Sequence, residues 1–293
     1  MSPLVVVWPR AAGRRPRRQP RGEVEPVHQP QLLRRTGNGG GVLREDLRSG
    51  TLHVPDSWIE VTMLCDSSVQ PASLTFADDG AQLFDAALTT GELRQLQAVL
   101  SHLPADHAGL RLRGVDGLAP FLAATGPIGR CAASALGHGG HPVRAILFDK
   151  TPATNWALGW HQDRTIAVQQ RVAVEGFVTW SVKGGMTHVE PPFAVLAGMV
   201  TLRVHLDAVP ASNAPLLIAP GSHTLGRIAE DDIRDVVGRC GTVACLAAPG
   251  DIWLYATPIL HASEAAVAPT HRRVLQIDFA VGGLPGGLEW LGV

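Results

Sequence analysis

Residues 199–208 read MVTLRVHLDA. Side chains on a strand alternate between faces, so Val200, Leu202, Val204 and Leu206 share one side and Thr201, Arg203, His205 and Asp207 the other. Such a strand folds only where an apolar layer covers one face and the opposite face lines something polar. The same rhythm recurs in RRVLQIDFAV (272–281). VRAILFDKT (143–151) and the start of APLLIAPGSH (214–223) are short apolar strands, and TVACLAAPGDIWLYAT (242–257) gives two strands around Pro249-Gly250.

The segments upstream are helical. TTGELRQLQAVLSHL (89–103) has Thr89 three residues before Glu92, a capping-box spacing, followed by Leu93, Leu96, Leu100 and Leu103 at helical intervals. A second helical region spans 117–136, broken at Gly126-Pro127 and ended by glycines 137, 139 and 140. SVKGGMTHVEPPFAVLAG (181–198) reads as a loop and then a short helix. Helices followed by many short strands predict an α+β fold whose β part is a sandwich or barrel.

Charge divides the chain unevenly. Residues 1–50 hold ten arginines against four acidic residues, whereas residues 51–293 hold fifteen basic and twenty-two acidic ones. A mildly acidic folded part gives no reason to expect nucleic-acid binding. The stretch from 10 to 50 is rich in Arg, Pro, Gly and Gln and too poor in apolar periodicity to offset its ordering entropy. Residues 1–72 are therefore expected to be a disordered or mis-assigned extension, with Met63 a plausible native start that would leave 1–62 outside the protein, and a single domain over 73–293. Cys65, Cys131, Cys240 and Cys245 form no C-x-x-C pair and are too few for a disulfide framework, so a reducing, cytoplasmic setting is expected. No apolar run reaches the roughly 18 residues of a membrane span.

Chemistry concentrates in GWHQDRT (159–165). On a strand His161 and Asp163 point the same way and Gln162 the other. Such a pair holds a divalent metal or is simply hydrogen-bonded. A third candidate, His261, follows the apolar strand near 252–256, and Arg272 stands eleven residues beyond it. Two histidines and a carboxylate cover one side of a metal and leave positions open, which suits non-haem Fe(II); Zn(II) accepts the same ligands. The arginine favours iron. A guanidinium binds a carboxylate in bidentate fashion at about 1.5–3 kcal/mol per charge-assisted bond, a natural anchor for the far end of 2-oxoglutarate. Arg272 shares a face with Val274, Gln276 and Asp278, and Arg273 with Leu275, Ile277 and Phe279. The polar face should line the cavity, so Arg272 is expected to point inward.

The segments WHQDRT, APGSH and HASEAAVAPTHRR resemble the phytanoyl-CoA dioxygenase family of Fe(II)/2-oxoglutarate oxygenases over about residues 143–281. The resemblance implies a double-stranded β-helix (jelly-roll) core and a dioxygenase that uses Fe(II), 2-oxoglutarate and O2. It would hydroxylate a small-molecule substrate and release succinate and CO2. It makes His161, Asp163 and His261 the iron ligands, Arg272 the co-substrate anchor and Ser263 the hydroxyl partner of that anchor. Thr201 and Arg203, on the polar face of their strand, are expected to contact co-substrate or substrate. Two departures stand out: Ala214 replaces a common glycine, and Ala266 stands where the family often has asparagine. Asn155 and Trp156 are candidate pocket residues and His188 a candidate lid residue; Lys150 stands where it could contact an anionic substrate but is expected to be solvated, Trp160 to pack in the core and Gly221-Ser222-His223 to form a turn. Asp163 argues against halogenation, which usually requires a small residue at the carboxylate position. A Zn-dependent hydrolase and a non-catalytic β-sandwich binding module are the rival readings. The sequence names neither the substrate nor the oligomeric state.

Overall fold

The computed structural model describes residues 6–7, 73–104, 108–267, 269 and 271–293. Its strands are β1 (Val6–Val7), β2 (Ala81–Phe84), β3 (Leu110–Leu112), β4 (Gly140–Lys150), β5 (Leu158–His161), β6 (Ile166–Val168) and β7 (Val178–Lys183). They continue as β8 (Met186–Glu190), β9 (Val200–His205), β10 (Leu216–Ile218), β11 (Val243–Cys245), β12 (Ile252–Ala256), β13 (His261–Ser263) and β14 (Arg272–Val281). The helices are α1 (Phe76–Asp79), α2 (Thr90–Leu100), α3 (Ala119–Leu122), α4 (Gly129–Leu136), α5 (Phe193–Ala197) and α6 (Ile233–Cys240), joined by short 3-10 turns.

The large sheet runs β1-β3-β4-β14-β9-β12-β2, and a smaller one runs β11-β10-β13-β5. The central strand β14 pairs antiparallel with β4 on one side and β9 on the other. Alternation along β9 and β14 sorts their side chains. Val200, Leu202, Val204, Leu275, Ile277 and Phe279 join the main core with Leu96 and Leu100 of α2 and residues of α3 and α4. Each fully buried side chain of this size contributes about 1.5–3 kcal/mol, so the helices are fastened to the outer face of the large sheet. The inner face carries Arg144, Lys150, Thr201, Arg203, His205, Arg272, Gln276 and Asp278, and it meets the smaller sheet. Lys150 Nζ donates to Ser263 Oγ at 3.0 Å, and the Tyr255 ring lies 5.9 Å from that of His261. Two facing antiparallel sheets with helices outside form the α+β jelly roll that was expected.

Several local expectations meet their geometry. Thr89 Oγ1 accepts from Glu92 N while the Glu92 carboxylate accepts from Thr89 N at 2.8 Å, so the capping box of α2 is complete. Residues 181–190 differ from the expected loop. They form the β7–β8 hairpin of a third sheet, β6-β8-β7, turning at Gly184 (φ 59°) and Gly185 (φ 75°). A two-residue turn with both φ values positive suits paired glycines, and Gly-Gly between apolar runs is the signal that marks it. The extension expected over residues 1–72 lies outside the described residues except for Val6–Val7, which pair with Leu110 and Arg111 at the sheet edge. Among the described residues no helix is long and apolar enough to cross a membrane.

Candidate metal centre

His161 ends β5 and His261 begins β13, and the two are register partners across that pair, with ring centroids 4.2 Å apart. Asp163 follows two residues after His161. One ligand-type atom from each of the three lies within 4.8 Å of the others. His161 Nδ1 sits 2.8 Å from Gly159 O, and His261 Nδ1 sits 3.0 Å from Ile259 O. A proton on each Nδ1 leaves Nε2 as a free lone pair, the arrangement a metal-binding histidine requires. Gln162, on the opposite face, donates to Gly226 O and Pro258 O and accepts from Ile228 N, pinning the strand to the loops around it.

Arg144 of β4 supports the carboxylate. Its Nη2 donates to Asp163 Oδ2 at 3.3 Å and its Nε to Asp278 Oδ2 at 2.5 Å, while Asp278 Oδ1 accepts from Thr201 Oγ1 at 3.1 Å. Burial alone would raise the Asp163 carboxyl, but Arg144 and the two histidines outweigh it and hold it below the usual range. Burial, with some help from His161, pushes His261 down to about 4. An ionised carboxylate beside a neutral imidazole is the donor state a divalent cation needs. The donor set thus fits a metal held on one side with positions left open, as in the two-histidine, one-carboxylate iron sites.

The other end of the inner face is a cluster of cations. Arg272, 3% exposed, pairs in register with Lys150, 0% exposed, and Arg203 (8%) lies on the adjoining β9. Arg203 Nη1 donates to Gln276 Oε1 at 3.2 Å, and its guanidinium lies 5.4 Å from the Phe148 ring centroid. Arg272 Nη1 donates to Ala214 O. Arg203 Nε, Arg272 Nε and both ring nitrogens of His205 have no hydrogen-bond partner. Burial and then Arg203 push Arg272 down to about 9, and burial followed by its two arginine neighbours pushes Lys150 down to about 7. Among the described residues no carboxylate pairs with these three buried basic side chains, and an arrangement of this kind suits an anion.

Several residues take places other than those expected. Lys150 is fully buried rather than solvated, because the β4–β14 register aims it inward. Thr201 spends its hydroxyl on Asp278 and Thr257 and does not join the cation cluster; it buttresses the metal end. Asn155 binds the backbone of Ala266 through both ends of its amide and so clamps the loop after β13. His188 is buried in β8 against Met186 O rather than in a lid. Arg273 faces away from the interior and forks onto Asp207 at 2.7 and 2.9 Å. Ala214 adopts φ 48°, a left-handed conformation that explains why glycine suits the position. Sequence reasoning passed over Arg144 entirely. Its signal was present, since it shares the inward parity of Lys150.

A cavity of about 740 Å³ opens beside His161 and Asp163. Leu158, Trp160, Ile233 and Val237 form its apolar wall, and Arg164, Lys183, Arg234 and Glu230 its charged part. Trp160 therefore lines the cavity as well as packing beneath α6.

Residues 136–274 match the family model described as Phytanoyl-CoA dioxygenase (PhyH). None of the curated proteins matches the chain in sequence. Among solved structures, EctD from S. alaskensis with bound Fe is 19% identical, covering 72% of this chain and 78% of that one, with a TM-score of 0.52. AviO1 from Streptomyces viridochromogenes Tue57 is 19% identical over 72% of this chain and 94% of its own, with a TM-score of 0.51. The epimerase SnoN in complex with Fe3+, alpha ketoglutarate and nogalamycin RO is 16% identical over 72% and 88%, also at 0.51. At these identities the likeness is one of fold.

Proposed function

We propose that this chain, which carries a phytanoyl-CoA dioxygenase domain across residues 136–274, is an Fe(II)- and 2-oxoglutarate-dependent dioxygenase acting on a small molecule. One observation carries the reading: an open-sided His-Asp-His cluster and an unpaired cation cluster share a single barrel interior. A hydrolase has no use for the second, and a binding module has no use for the first. His161, Asp163 and His261 would hold the iron, which when bound supplies the oxidising power drawn from O2 and the keto acid. Arg144 fixes the Asp163 carboxylate so that Oδ1 stays free for the metal. Arg272 neutralises the distal carboxylate of 2-oxoglutarate, with Ser263 beside it and Arg203 lining the path between the two clusters. The interior is walled by Phe148, Val274 and Tyr255, which exclude water and strengthen every charge interaction inside.

The substrate enters the cavity at His161. An apolar wall facing Arg164 and Lys183 favours a molecule with an apolar body and an anionic group. The outcome is hydroxylation with release of succinate and CO2, carried out in a reducing compartment. Anaerobic loading with Fe(II) and 2-oxoglutarate, followed by oxygen and a metabolite screen for succinate, tests the activity. Metal-dependent release stimulated by a substrate supports it; no release under any condition contradicts it. The unit proposed to carry the reaction is residues 73–293. The same assay on a chain begun at Met63 should give unchanged succinate release, and lost release would assign residues 1–62 to the catalytic unit.

A further inference from the structure

Lys150 sits at the end of β4 with its whole side chain removed from solvent. Nζ donates to Ser263 Oγ at 3.0 Å and to Glu264 O at 2.5 Å, and it lies 5.0 Å from the Trp156 ring centroid. An ammonium has three N–H bonds, and these contacts use two. The charged groups that face it are Arg272 from β14 and Arg203 from β9, both cationic. His205, beside the two arginines, is held neutral by burial, with a pKa of about 3. Glu264 offers only its carbonyl, since its side chain is exposed, and Asp149 points to the opposite side of β4, towards His271. The Trp156 ring and the Glu264 carbonyl favour the charge of Lys150, and an anion would favour it far more.

We propose that Lys150 is a second cationic anchor for the distal carboxylate of the co-substrate, and that it takes up a proton from solvent as that carboxylate binds. The proposal rests on the oxygenase reading above. The shared register of Lys150 and Arg272 brings both cations to the same end of the inner face of the large sheet, and the Ser263 hydroxyl ties Lys150 to β13. Even pushed down to about 9, Arg272 stays largely charged at pH 8, whereas a buried lysine gives up its proton more readily. Burial and the two arginines hold Lys150 near pKa 7, so at pH 8 it is largely neutral. A carboxylate against Nζ favours the charged form and raises the pKa. Affinity should therefore be level below pH 7 and fall with rising pH above it, approaching tenfold per unit.

The test is calorimetric titration of 2-oxoglutarate into the full-length Fe(II) protein without oxygen at pH 8, in HEPES and in Tris, whose ionisation enthalpies differ. The wild type should take up close to one proton per co-substrate bound. Lys150→Arg should bind 2-oxoglutarate with no uptake at this pH and a flat affinity between pH 7 and 8.5. Lys150→Met should bind at least tenfold more weakly, also without uptake. Binding by the wild type with no proton uptake, or uptake that persists in Lys150→Arg, overturns the proposal. Failure of the wild type to bind 2-oxoglutarate at all overturns the oxygenase reading instead, so the two failures are distinguishable.

Discussion

The two ends of the barrel interior treat buried charge in opposite ways. At the metal end Arg144 lies between Asp163 and Asp278, and Thr201 completes the network. At the far end Arg203, Arg272 and Lys150 are buried with no carboxylate partner among the described residues. A paired network holds its geometry before any ligand binds. An unpaired cluster costs stability, and that cost is recovered when the missing anion arrives. On the proposed reading the His-Asp-His end is a preformed scaffold, and the cation end is a site completed by its ligand.

The largest expected effect is at the metal end. Asp163→Ala removes the only carboxylate donor of the cluster and should weaken Fe(II) binding at least a hundredfold and abolish succinate release. Far-UV circular dichroism should be unchanged. Iron content equal to the wild type would refute the assignment.

Next comes the anion. Arg272→Leu removes two charge-assisted bonds of about 1.5–3 kcal/mol each, which predicts a loss of 2-oxoglutarate affinity of about a hundredfold or more. Iron affinity should hardly change. Arg273→Leu is the matched control, because Arg273 pairs with Asp207 away from the interior. A large shift in the control and none in Arg272→Leu would reverse the facing of β14.

Stability sharpens the contrast. Asp278→Ala takes away the shorter of the two Arg144 ion pairs, leaving only the 3.3 Å contact to Asp163, and should cost up to about 3–5 kcal/mol, roughly 10 °C in melting temperature for a domain of this size. Arg272→Leu, measured without co-substrate, should shift the melting temperature by only a few degrees in either direction, since it removes an uncompensated cation. Equal losses in the two variants would abolish the distinction between the two ends.

What could be read in advance follows from parity and spacing. The period-two pattern of β9 and β14 sorted core from cavity and turned Arg272 inward, because one sheet face had to be apolar. His161, Asp163 and His261 were legible as a group since strand parity and a strand end bring them together. Arg144 was not singled out, and Lys150 was expected in solvent. Their strand reads as a nearly continuous apolar run, and which of its faces lies inside depends on pairing with β14, a long-range contact. The β7–β8 hairpin was hidden by a stretch that looks loop-like until Gly184-Gly185 is taken as a turn. Thr201 had the right parity but the wrong end, because alternation gives the face and not the depth along a strand.

The smallest effect concerns the carbonyl that holds Arg272. Ala214→Gly relieves a left-handed alanine, worth roughly 1–2 kcal/mol, against a loss of about 0.4–1 kcal/mol from the freer unfolded chain. The net should be a rise of no more than a few degrees in melting temperature, with co-substrate affinity unchanged. A tenfold change in affinity would show that the Ala214 turn itself shapes the anion site.

The central claim is that one interior holds a metal at one end and a dicarboxylate anchored at the other. Anaerobic titration of 2-oxoglutarate into the Fe(II)-loaded protein, followed by the metal-to-ligand charge-transfer absorbance, tests both ends together. The account predicts a saturable band in the wild type, no band in Asp163→Ala, and in Arg272→Leu a band that needs at least tenfold more co-substrate. No band in the wild type, or an identical titration in Arg272→Leu, would contradict it.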